Sequence, residues 1–292
     1  MTSSLHITLL GKPHVAIDGE PTTQFVSNKS RALLYYLAAE PRLHDRAELA
    51  VFLWGRDRNA KRNLRDVIYN LRQTFDPFLQ ITRTQIGFRD DVDIYCDLRV
   101  WDRLLAQRNK NLGDWQQLLE LYRGEFLAGF SLDSLNEFEE WLAVFREQIE
   151  IRFTNALETA VQFFASQNDL ENTVCFAHQL LMRESWNETG HQQLMLAYAL
   201  QGLRNKALTQ FKNYRTALNL EIGAEPSRVM NDYYQQILDG KVDFISTETH
   251  HNLPAWVTPM VGRGGIMTRA LMQIEDKHSR LLTIGGLSLI HI

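Results

Sequence analysis

Cysteine is nearly absent: the 292 residues hold only two, Cys96 and Cys175. Two thiols 79 positions apart build neither a disulfide framework nor a cysteine-rich zinc site, and they are expected to be free in a reducing compartment. No basic stretch followed by an apolar one opens the chain, whose first apolar run is the short Ile7–Leu10, so no signal peptide is evident. Long hydrophobic runs are missing too. Leu281–Ile292 is broken by Gly285, Gly286 and Ser288 and is too short to cross a bilayer. Catalytic signatures are equally scarce, with no Gly-x-Ser-x-Gly, no His-Glu-x-x-His and no paired-cysteine metal spacing. The adjacent His250 and His251 have no further ligand in sight and read as linker residues rather than a metal site. These absences set the expectation of a soluble, cytoplasmic protein that is not an enzyme, with no catalytic residues, no metal, no cofactor and no membrane partner.

What is present looks ordinary at first. Hydrophobic residues make up 45% and charged residues 23%, a globular composition in a chain long enough for about two domains. The net charge of −4 hides an asymmetry. Residues 1–96 carry 13 Lys/Arg against 11 Asp/Glu, residues 97–240 carry 13 against 20, and residues 241–292 carry 5 against 4, giving +2, −7 and +1. Within the first piece, Lys29–Arg89 holds 12 basic and 6 acidic residues, a local +6. A basic module joined to an acidic one suggests that the first meets an anion, with nucleic acid the leading candidate and a plain solvated surface the alternative.

Leu5–Leu10 and His14–Ile17 are two short apolar runs split by Gly11-Lys12-Pro13, the pattern of an antiparallel hairpin. Ser27 or Asn28 can cap a helix carrying Ala32, Leu33, Tyr36 and Leu37 that stops before Pro41. Asp45 can cap a second with Leu49, Phe52 and Leu53 on one side and Gly55 at its end. A third runs from Asn59 to Phe75, followed by two short strand-like runs, Leu79–Thr82 and Ile86–Arg89, around Arg83-Thr84-Gln85. From Asp97 the pattern becomes helix after helix. A shift of 34 residues aligns Val161 with Met195, Phe163 with Ala197, Phe164 with Tyr198, Ala165 with Ala199, Gln167 with Gln201 and Thr173 with Ala207, the period of tetratricopeptide helix pairs. Two similar units also occur in other helical bundles. The expected fold class is mainly α: a winged helix-turn-helix with small β-hairpins, followed by a TPR-like helical repeat domain.

The third helix carries the chemistry. With Leu64 at zero on a helical wheel, Val67, Ile68, Leu71 and Phe75 fall within about 60 degrees of it, a core stripe. The opposite face offers Arg62, Asp66, Tyr69 and Gln73, flanked by Arg58, Arg65 and Arg72. Arginines along one flank, with a tyrosine and a glutamine between them, suit a helix in a DNA major groove. Arg reaches guanine O6/N7 in a bidentate pair, Gln pairs with adenine, and remaining guanidiniums grip phosphates. The alternative is a solvent-exposed amphipathic helix with an Arg62–Asp66 i,i+4 pair. Element order favours the first reading. Two helices, an Arg-lined third and a hairpin are the layout of a winged helix, in which the hairpin tip touches backbone or minor groove. The groove candidates are therefore Arg58, Arg62, Arg65, Tyr69, Arg72 and Gln73, with Lys61 and Arg83 as backbone contacts.

Three stretches here resemble the OmpR-like winged helix of SARP-type transcriptional activators: Asn28-Lys29-Ser30-Arg31-Ala32-Leu33-Leu34, Ala47–Gly55 and Asn63–Arg72. Downstream, Tyr122-Arg123-Gly124-Glu125-Phe126-Leu127, Phe138-Glu139-Glu140-Trp141 and Leu220–Ser227 resemble the bacterial transcriptional activation domain that follows in that family. The resemblance covers about Leu5–Gly240. It implies an activator that binds double-stranded DNA as a homodimer and uses its helical half for dimerisation and for contact with RNA polymerase. The implied domains are 1–96, an OmpR-like winged-helix DNA-binding domain; 97–240, the TPR-like activation domain; and 241–292, a linker and ATPase remnant. No receiver domain with a phosphorylatable acidic pocket is seen, so direct phosphoaspartate control is not expected.

The last segment resembles the entry into a STAND-class signalling ATPase, in Asn252–Arg263 and Ser279–Gly286. A phosphate loop should follow, but Gly285-Gly286-Leu287-Ser288-Leu289-Ile290-His291-Ile292 lacks the lysine and following hydroxyl that anchor phosphate and Mg²⁺. A truncated remnant without ATP hydrolysis is expected. Two other functions stay open at this stage: a TPR-like protein-binding adaptor, and a truncated STAND-type ATP-dependent signalling regulator.

Overall fold

Alternating burial shapes the first strands. In a computed structural model, which describes residues 3–22, 25–132 and 137–240, β1 (Ser4–Thr8) buries Leu5 and Ile7 while His6 faces out. It pairs antiparallel with β2 (His14–Ile17), Leu5 opposite Ile17 and Thr8 opposite His14. The turn Asp18-Gly19 leads into the two-residue β3 (Glu20–Pro21). Helix α1 (Asn28–Ala39) begins at Ser27, whose hydroxyl accepts from the Ser30 N–H, and it ends ahead of Pro41. After β4 (His44–Asp45) comes α2 (Arg46–Trp54), capped by the Asp45 carboxylate on the N–H groups of Ala47 and Glu48. Helix α3 (Ala60–Phe75) and a single 3₁₀ turn lead to β5 (Leu79–Ile81) and β6 (Gln85–Phe88).

A strand with no local signature in the sequence, β7 (Asp93–Cys96), then returns to the first sheet and lies parallel to β1, with Ser4 opposite Asp93 and Ile7 opposite Cys96. The sheet order is β3-β2-β1-β7, and the wing strands form a second sheet in the order β4-β6-β5. The helical half follows as α4 (Asp97–Ala106), α5 (Leu112–Leu121), α6 (Glu137–Ser166), α7 (Leu170–Leu181), α8 (Glu188–Leu200), α9 (Arg204–Ile222) and α10 (Arg228–Asp239). The architecture is mainly helical with small sheets at the N-terminal end, as expected. From α6 to α10 each helix packs on the next. Both cysteines are free, Cys96 buried and Cys175 exposed. No helix among the described residues is long and apolar enough to cross a membrane. The ATPase-like segment and the His250-His251 pair lie outside the described residues.

The two halves are joined by more than a linker. One hydrophobic core runs from Leu5 to Leu194 with no break at residue 96, and the described residues form one compact unit. Asp97, fully buried, accepts from the backbone N–H groups of Leu9 (2.8 Å), Leu10 (3.1 Å) and Leu98 (2.7 Å). Burial nonetheless pushes its carboxyl above the usual range, against those three donors.

Beside this clamp the motif Tyr122–Leu127 pairs with Leu9–Gly11, just past β1. The Leu127 N–H donates to the Leu9 carbonyl (2.8 Å), Gly11 N–H to Glu125 (3.1 Å) and Ala128 N–H to Gly11 (2.9 Å). Gly11 has φ +108, and a Cβ there would meet the Arg123 Cβ at 3.2 Å, so this crossing needs a residue without a side chain. Arg146 of α6 locks the same loop by donating to the carbonyls of Phe126, Leu127 and Phe130 at 2.8–3.0 Å. An aromatic cluster completes the joint: Tyr36 and Phe52 of the first half pack edge-on to Trp141 at 5.0 and 6.1 Å between centroids, and Phe52 lies 5.7 Å from Phe138.

Further along, a smaller core gathers Met195, Phe211, Tyr214, Met230 and Ile237. Glu188, at the start of α8, accepts from the Tyr214 hydroxyl (2.7 Å) and the Ser227 hydroxyl (2.8 Å), so it ties α8 to α9 and to the cap of α10. Buried His191 sits against Tyr214, with Nε2 2.8 Å from the Ser185 carbonyl and Nδ1 2.7 Å from the Gln210 amide. Burial lowers its pKa from the ordinary 6.5. The folded chain thus prefers the neutral ring, and the unfolded chain takes up the proton first as pH falls. The contribution is present above the unfolded pKa and is lost below it. The melting temperature is therefore expected to fall between about pH 7.5 and about pH 5.5, with His191→Gln removing part of that fall. Melting curves across that range check this, and an unchanged pH dependence in the variant would count against it.

Candidate nucleic-acid interface

Helix α3 is placed by its apolar stripe. Ala60, Leu64, Val67, Ile68, Leu71 and Phe75 are buried, which turns the opposite face to solvent by the helical period. On that face Lys61, Arg62, Arg65, Tyr69, Arg72 and Gln73 are all exposed, Tyr69 at 65%. Arg58 is exposed in the preceding turn, and Arg83 at the tip of the wing. Between α2 and α3, Gly55 has φ +60 and the Asp57 carboxylate accepts from the Asn59 N–H at 2.8 Å, which sets the sharp turn. The helix carries Lys61, Arg62, Arg65 and Arg72 against Asp66 alone, a surplus of +3. Sixteen residues give a rod of about 24 Å, with a diameter that a major groove about 12 Å wide accepts.

Availability differs along the face. Arg58, Lys61, Arg62, Arg65 and Arg83 form no ion pair among the described residues. The Arg62–Asp66 pair that the spacing allows is not made. Instead Arg72 pairs with Asp76 at 2.8 Å, both side chains 56% exposed. So exposed a pair is worth about 1 kcal/mol at most, which a phosphate can displace. Among the described residues Gln73 makes only a long 3.5 Å contact to the Tyr69 carbonyl.

The wing is held from a direction that sequence patterning misses. Arg46, the first residue of α2, donates from its guanidinium to the Thr82 carbonyl (3.0 Å) and from its backbone N–H to Thr84 (2.8 Å). Thr82 closes the tip by accepting from the Gln85 N–H at 2.9 Å. Gly87 lets β6 approach the loop between α1 and β4, since a Cβ there would meet the Arg42 carbonyl oxygen at 2.7 Å. Arg83 therefore stands on a braced hairpin. Nothing local in the sequence links Arg46 to residues 36 positions away. Lys29, by contrast, is internal to the scaffold: it donates to the Leu53 carbonyl at 2.7 Å and lies 4.7 Å over the Trp54 ring, and burial lowers its pKa.

Among the described residues, no three His, Cys, Asp or Glu side chains are placed to hold a metal ion. The surface is thus a cationic helix beside a cationic wing tip, with side chains able to grip phosphates and to meet base edges.

Residues 96–238 match the family described as the bacterial transcriptional activator domain. Among solved structures, the chain is similar to Mycobacterium tuberculosis EmbR in complex with a low-affinity phosphopeptide, at 19% identity and a TM-score of 0.56, over 93% of this chain and 70% of that one. That likeness is one of fold. No curated protein matches the chain.

Proposed function

We propose that the chain is a sequence-specific DNA-binding transcriptional regulator, an activator, that reads the major groove with α3 and braces on the backbone with Lys61 and Arg83. One observation carries this: the face of α3 opposite its buried stripe is exposed and cationic, and among the described residues Arg62 and Arg65 have no carboxylate partner. The match of residues 96–238 to the bacterial transcriptional activator domain supports a regulatory role for the helical half. In this reading that half dimerises the protein on DNA and contacts RNA polymerase.

Sequences selected by the full chain from a random DNA pool supply the site, and a salt titration then tests the contact. With about six phosphate contacts, affinity is expected to fall roughly a thousandfold between about 50 and 200 mM salt. A flat salt dependence, or a pool that yields no enriched sequence, would favour the protein-binding adaptor instead.

A further inference from the structure

A groove of about 450 Å³ lies between α4, α5 and α6 and shares no lining residue with α3 or the wing. Its floor is apolar, made by Ala156 and by Trp115, which is only 4% exposed. The Trp115 indole N–H is buried with no acceptor among the described residues. On the rim stand Lys110, Arg152 and Asn155, with Asp102 the one carboxylate among the lining residues and Asp114 close to Lys110.

Both cations are already oriented. The Lys110 ammonium donates to the carbonyls of Leu105 (3.0 Å) and Gln107 (2.6 Å) and lies 5.0 Å from the Trp115 ring centroid, which leaves its third N–H unused. Arg152 uses one terminal nitrogen on Asp102 and lies 4.9 Å over Trp101, which leaves the rest of its fork. Asp102 on Arg152 and Asp114 near Lys110 balance the two cations, so the rim offers unused N–H donors without a surplus of charge. That suits a monoanion with an apolar body better than a phosphate dianion, and the volume falls in the range of small-molecule sites.

We propose that this groove binds a small aromatic carboxylate, with the carboxylate between Lys110 and Arg152 and the ring on Ala156 and Trp115. The proposal does not rest on the DNA reading, and either can fail without the other.

Isothermal titration calorimetry of the full chain with phenylacetate and 3-phenylpropionate tests it, with the matching neutral amides as controls. Saturable binding of at least one carboxylate is expected at a Kd of about 1 mM or tighter. The amides should bind about tenfold more weakly, and Lys110→Met and Arg152→Gln should each weaken the carboxylate by about the same factor. If Lys110→Met lowers the melting temperature, Asn155→Phe serves in its place: residue 155 is exposed, and a ring there blocks the groove without entering the core. Loss of binding in Asn155→Phe supports the site. No saturable heat with either acid, equal binding of the amides, or unchanged binding in Asn155→Phe overturns it.

Discussion

Replacing Arg62 and Arg65 together by alanine is expected to lower affinity for a selected DNA site by about 30-fold to about 25,000-fold, since each base pairing by an arginine carries roughly 1–3 kcal/mol. The pair is chosen because both residues are exposed on the outward face of α3 and neither is held by a carboxylate among the described residues. Arg72 is a weaker choice, since its guanidinium is shared with Asp76. Circular dichroism and melting should stay as in the parent, because surface changes away from caps and buried groups move stability by about 0.5 kcal/mol or less. Unchanged affinity in a folded double variant would show that α3 is not the reader.

The second large effect lies on the other side of the same helix. Ile68 is 4% exposed, and Ile68→Asp places an unpaired carboxylate among Leu64, Leu71 and their neighbours. The loss of a buried aliphatic side chain and the buried charge each cost about 2–5 kcal/mol, together comparable to the whole stability of a typical domain. The expected result is loss of cooperative melting in the full chain, and not in its first half alone. Phe52 and Tyr36 pack on Trp141, and Asp97 ties β1 to α4, so the helical half loses part of its own core when the winged helix opens. Calorimetry reads this directly. A transition that persists at the parent temperature would show that the halves fold independently.

How much of this is legible in the sequence follows from how local each signal is. The caps Ser27 and Asp45, the stop before Pro41, the Gly55 turn and the α3 stripe all lie within a turn or two of what they control, and periodicity places them correctly. The same period turns Arg62, Arg65, Tyr69, Arg72 and Gln73 outward. Strand β7 is not legible. It is four residues long, follows the acidic run Asp90-Asp91, and gains its identity by lying beside a strand some 89 positions earlier. The Asp97 clamp and the Arg46 brace on the wing escape for the same reason, since their partners are 87–88 and 36 positions away. The Arg62–Asp66 pair of the alternative, solvent-exposed reading has the right spacing and the wrong members. The helix makes its i,i+4 pair at its C-terminal end, where Asp76 sits in the cap.

The crossing at Gly11 has a consequence for how such chains can be recombined. A splice at residue 96 would look natural on a map of segments, yet the backbone of Leu9–Gly11 is zipped to Glu125–Ala128 on the far side of it. A foreign winged helix grafted there would have to bring its own side-chain-free residue at the first strand's exit, two free carbonyls beside it, and a carboxylate-ready pair of N–H groups for Asp97. Parts exchanged across this seam would have to move as matched sets, the winged helix together with the loop it grips.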